Sequence, residues 1–248
     1  MRNDERYVPT CVIAGAGPRL GLAVAERYAR EGFAAYMLSR DPARLAPHFS
    51  KLRAGSLQVV PMACDVGTRG SVEAALREIR DRQGGCDVLV YNAFVPSAGR
   101  ASLLDPEALL ADIRVNVTAA LLFVRLTVQE MREHGGAMLF SGCGLARTPV
   151  AELTSLSIGK AALCAFVECL AEDVEPDGIR VGMVTVNGPM PTDSGTARNR
   201  GLVLGIVRAG QRTTRARDDV SVELAPTPHE IEMTTVERKS HAAYRTFD

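Results

Sequence analysis

Apolar residues follow two alternating patterns along this chain. Short runs, apolar at nearly every position and rich in β-branched residues, cover 10–14, 34–39, 58–63, 87–91, 137–140 and 180–186. Between them lie longer stretches with apolar positions three and four apart: 20–31, where Leu20, Ala23, Val24 and Tyr28 share a face, then 42–54, 69–83, 106–133 and 154–174. Continuous apolar runs predict strands covered on both faces, and the 3.6 period predicts helices. Their strict alternation predicts an α/β fold, a doubly wound parallel sheet in a single domain over residues 1–248. The pattern fades after Asp193, so 194–248 is a divergent segment in which only the alternation of 220–224 (VSVEL) reads as a strand.

Two helical stretches, 113–131 and 156–170, are apolar on more than one face, as in TAALLFV and KAALCAFVECLA. A helix with one side in water carries a polar stripe there. Their second apolar face predicts a homodimer or homotetramer joined through these helices; a deep core under the C-terminal segment is the alternative.

Composition narrows the class. A chain of 248 residues with 46% hydrophobic and 23% charged residues is long enough to bury a core without staples. Lysine plus arginine and aspartate plus glutamate both number 29, which argues against a nucleic-acid partner held by phosphate attraction. The six cysteines form no CxxC pair and sit mostly in apolar runs, as buried thiols of a reducing compartment do. The polar start MRNDERYVPT lacks the apolar core of a signal peptide, and no charge-free apolar run suggests a membrane span. The expectation is a cytoplasmic protein with a small-molecule substrate. His229 and His241 have no partners at metal-ligand spacing, so no metal site is expected.

The chemistry begins at AGAGPRLG, residues 14–21, between the first strand and the first helix. Glycines there let the backbone turn sharply and approach phosphate oxygens at a helix N-terminus. LSRDPARL follows the second strand; Asp65-Val66 follows the third; YNAF, 91–94, closes the fourth. Asn116 lies in VNV, Lys160 ends SIGK, and PDGIRVGMVTVNG leads to Gly188.

Together these stretches resemble the short-chain dehydrogenase/reductase family over about residues 12–192. The resemblance implies a Rossmann-type fold and an NADP(H) cofactor. It assigns Gly15, Gly17, Arg19, Leu20 and Gly21 to the phosphate turn, and Ser39 and Arg40 to a 2′-phosphate. Asp65 and Val66 fall to adenine, and Asn92, Ala93, Lys160 and Gly188 to the ribose and nicotinamide end. Asn116, Cys143 and Lys160 become the catalytic candidates. An arginine at position 40, in place of the acid that binds an NAD ribose, suits NADP.

Four positions depart from that pattern. Leu156 stands where the family has its proton-donating tyrosine, four residues before Lys160. Cys143 stands about where a serine steadies the substrate carbonyl, with Ser141 close by; Arg19 replaces a glycine of the turn; Phe94 replaces the glycine after Asn92-Ala93. Leucine donates no proton, and general acid catalysis is worth about 10²–10⁴-fold. Cys143 is either a substitute acid activated by Lys160 or a small residue filling the serine's space. Asn116 either holds a water linked to Lys160 or secures a helix kink. Arg198, Arg200, Arg208, Arg212, Arg215 and Arg217 read as a solvated face or as an anion-recognising cover. The expected function is an NADP(H)-binding oxidoreductase acting on a small organic molecule. The alternatives are a non-redox enzyme (cyclase, dehydratase or isomerase) in the same cleft, or a catalytically silent binding subunit.

Overall fold

Six short strands align side by side in a computed structural model that describes residues 7–186, 219–224 and 231–236. Side chains are described throughout these segments except at 50, 51, 53 and 54 and in the last two segments. All six strands are parallel: β1 (Thr10–Ala14), β2 (Ala34–Ser39), β3 (Val59–Ala63), β4 (Val88–Tyr91), β5 (Gly136–Cys143) and β6 (Ile179–Val186). Their order is β3-β2-β1-β4-β5-β6. The order reverses between β1 and β4, which opens a crevice at the carboxyl ends of the strands.

Successive strand residues feed opposite layers. Val12, Ala14, Tyr36, Leu38, Leu89 and Tyr91 join one core with α3 (Arg69–Gln83), α5 (Ala119–His134) and α6 (Thr154–Val174). Cys11, Ile13, Ala35, Met37, Val88 and Val90 join the other with α1 (Leu20–Arg30) and α2 (Ala46–Ala54). A strand covered on both faces needs apolar side chains at every position, which is why these runs lack polar alternation.

The elements match the sequence expectation in kind and differ in detail. The stretch 42–54 starts as a 3-10 turn, Pro42–Leu45, before α2. The region 106–133 is α4 (Pro106–Ile113), a π turn (Arg114–Thr118) and α5 in succession. β5 outruns its predicted end, so Cys143 is its last residue. Residues 220–224 do form a strand, β7 (Asp219–Leu224), paired antiparallel with β8 (Ile231–Val236). By length and composition α6 is apolar enough to cross a membrane, yet Leu163, Val167, Leu170 and Val174 lie in the core.

Candidate active site

The turn after β1 is built for close approach. Gly15 has φ +79°, and a Cβ there would stand 2.4 Å from the Ala93 Cα. Its amide and that of Ala16 donate to the Leu38 carbonyl at 3.1 and 2.8 Å. Across the crevice, the Asn92 amide donates to the Ala14 carbonyl and its Nδ2 to the Gly15 carbonyl, both at 2.9 Å. Asn92 and Ala93 therefore lock the ends of β1 and β4 together. Gly21 performs the same service inside α1, where a Cβ would stand 2.8 Å from the Ala16 Cα. Gly17 faces open space, Leu20 is buried, and Arg19, at the helix N-cap, is exposed. An arginine therefore fits this turn without entering it.

At the other end of the crevice the Ser39 carbonyl accepts the Cys64 amide at 2.9 Å, which brings the ends of β2 and β3 together. The Ser39 hydroxyl is buried and finds no hydrogen-bond partner, while Arg40 beside it is exposed. A buried hydroxyl without a partner is costly, and a ligand oxygen would satisfy it. Asp65 accepts from the Gly67 amide and the Thr68 hydroxyl, both at 3.0 Å, shaping the turn into α3 with Val66 buried beside it.

Lys160 lies on α6 with its side chain almost wholly buried, and Nζ donates to the Ser141 carbonyl at 2.7 Å. Burial lowers its pKa to about 8, and its electrostatic interaction with Cys143 offsets part of that fall. Leu156, one turn earlier, is also buried. The described tyrosines are engaged elsewhere. Tyr91 donates to the Val115 carbonyl, Tyr7 to Asp87, and Tyr28 and Tyr36 lie in the core. None hydrogen-bonds Lys160, so no described phenol takes over the missing tyrosine's place. The Phe94 ring sits with its centroid 5.5 Å from Lys160 Nζ.

Asn116, fully buried in the π turn, accepts the Val95 amide at 2.8 Å and donates to the Val95 carbonyl at 3.4 Å. Both ends of its amide serve the loop after β4, which favours the structural role. Gly159 permits this, since a Cβ there would stand 2.8 Å from the Asn116 Cβ.

The sequence reading missed a neighbouring cluster. Asp112 is buried on α4, and its two oxygens accept the Ser97 hydroxyl at 2.9 Å and the Ser155 hydroxyl at 2.6 Å. The signal was present: Asp112 sits four residues before Asn116, on the same helical face. Gly188 and the arginines from Arg198 to Arg217 lie outside the described residues.

Residues 9–202 match the short chain dehydrogenase family, and the chain belongs to it. The human dehydrogenase/reductase SDR family member 2, mitochondrial, is 30% identical over 183 residues, 73% of this chain and 65% of that relative. The match thus spans just under two thirds of the relative's own length. L-Sorbose reductase from Gluconobacter frateurii, solved with NADPH and L-sorbose, is 31% identical at a TM-score of 0.68, covering 72% of this chain and 69% of that one. A metagenomic short-chain oxidoreductase in complex with NADP shares the fold at a TM-score of 0.78 with 22% identity, over 89% of this chain and 98% of that one.

Proposed function

We propose that this chain is an NADP(H)-binding oxidoreductase of atypical active site, acting on a small organic molecule. One observation carries the cofactor half of that reading: the buried, unpartnered Ser39 hydroxyl beside exposed Arg40. A 2′-phosphate would satisfy the hydroxyl and pair with the guanidinium, whose fork matches phosphate geometry. The turn of Gly15, Gly17 and Gly21 would hold the pyrophosphate, Asp65 and Val66 the adenine, and Asn92, Ala93 and Lys160 the far ribose. When bound, NADPH supplies a hydride at the carboxyl edge of the sheet.

Among the described residues no phenol stands beside Lys160 to protonate an alkoxide. Lys160, charged below about pH 8, stabilises negative charge developing on a substrate. Cys143 at the end of β5 is this reading's candidate for moving a proton. Substrates whose reduction needs no acid at that position, such as an iminium or a conjugated alkene, suit the site better than a simple ketone. Of the six free cysteines Cys11, Cys64 and Cys86 are buried, Cys143 and Cys164 half-buried and Cys169 exposed, and a reducing cytoplasm is the compartment that suits such thiols.

Calorimetric titration with NADPH and NADH tests the reading. NADPH binds more tightly, and Arg40→Asp removes about tenfold or more of that preference. Absence of binding at millimolar concentrations of both nucleotides refutes it. The Phe94 ring over Lys160 favours a second reading, a non-redox enzyme or silent subunit using the same cleft. That reading expects full function with no nucleotide present.

A further inference from the structure

Lys160 is only 4% exposed, whereas Phe94, whose ring stands over its ammonium, is 51% exposed. A cation against the face of a ring is attracted by the ring's quadrupole, more strongly when the cation is desolvated. The backbone on either side of Phe94 is pinned. Asn92 bonds Ala14 and Gly15 before it, and the Val95 amide bonds Asn116 after it. Ser97 is tied to Asp112 two residues further on. With the loop fixed at both ends, the ring moves by rotation about its own side-chain bonds.

We propose that Phe94 is a specificity-determining cover on Lys160: a ligand reaches the ammonium only after the ring turns aside, whereas one confined to the Ser39–Arg40 end binds without disturbing it. The nucleotide consequence rests on the cofactor reading above; the covering of Lys160 does not.

Two measurements decide it. The chain has three lysines, Lys51, Lys160 and Lys239, so acetylation by N-hydroxysuccinimidyl acetate can be followed site by site by mass spectrometry. Lys160 of Phe94→Ala acetylates about tenfold faster than in the unmodified chain. Phe94→Leu, which keeps bulk without the π face, shows a smaller change in the same direction. Lys51 and Lys239 serve as internal references for reagent dose, and unchanged circular dichroism reports that the variants fold alike. An unchanged Lys160 rate in both variants overturns the proposal. In the second measurement, adenosine 2′,5′-bisphosphate binds the unmodified chain and Phe94→Ala equally, while NADPH binds Phe94→Ala about tenfold more tightly. Equal NADPH affinity for the two proteins also overturns it. If neither nucleotide binds either protein, the cofactor reading fails and acetylation alone decides the cover.

Discussion

Lys160 is an ammonium held inside a protein by one carbonyl and one aromatic face. Burial penalises its charged form, so its pKa falls from the ordinary 10.5 to about 8. Between those values the unfolded chain keeps the proton that the folded chain has released. Folding stability from this group therefore rises with pH across that window. At about 1.4 kcal/mol per pKa unit, the change amounts to roughly 3 kcal/mol. Burial pushes the thiols of Cys11 and Cys86 upward, which acts in the opposite sense, but they are common to the chain and its variants. The difference between the unmodified chain and Lys160→Met isolates the lysine. Lys160→Met is expected to be the more stable of the two at pH 7, with the gap closing between pH 8 and 10.5 in urea unfolding. A gap independent of pH would show that the ammonium carries no burial penalty.

At the scale of elements, Asp112 joins three pieces of chain: α4, the loop after β4 and the first turn of α6. Removing its carboxylate strands the buried Ser155 hydroxyl and leaves the half-buried Ser97 hydroxyl to water, and a stranded buried donor costs about 1–3 kcal/mol. Asp112→Leu is therefore expected to lose about 2 kcal/mol more than Asp112→Asn, whose amide can still pair with both serines after one hydroxyl turns. The triple variant Ser97→Ala, Asp112→Leu, Ser155→Ala regains much of that loss, because no polar group is then left without a partner. Denaturant midpoints measure all three. This cluster also marks where sequence reading stops. The strands and the glycine turn were legible because their signals are local: continuous apolar runs, and glycines between a strand and a helix. The π turn was not, since its residues continue the helical pattern through Arg114–Thr118 without a breaker. Nor was the Phe94–Lys160 contact, which joins residues 66 positions apart through a fold that no spacing encodes. The departures at Leu156 and Phe94 were visible as letters; what Phe94 touches required the fold.

For the whole molecule, the outer faces of α5 and α6 decide whether the chain stands alone. Both helices flank β5 in the same layer, because α5 links β4 to β5 and α6 links β5 to β6. The sequence suggested second apolar faces along both, and the structure narrows them. On α5 the exposed positions are Leu121 and then the polar Arg125, Gln129, Arg132 and Glu133. On α6 they are Ile158, Ala161 and Ala165, followed by Glu168, Cys169, Glu172 and Asp173. The large apolar side chains of this outer surface thus fall in the N-terminal half of each helix. There Leu121 is 50% exposed and Ile158 41% exposed, and Leu110 on adjoining α4 is 56% exposed. Alanines beside Ile158 allow a second helix to approach closely, and the charged lower halves would form a polar rim. We propose that a second copy of this chain covers these exposed side chains, since large apolar groups left in water on neighbouring helices favour association. Placing carboxylates there opposes burial, because an interfacial charge without a partner costs several kcal/mol. Light scattering after size exclusion is expected to give a dimer or tetramer at micromolar concentration. Leu121→Glu with Ile158→Glu is expected to give a monomer with unchanged circular dichroism. Should the unmodified chain run as a monomer, these helices end at solvent.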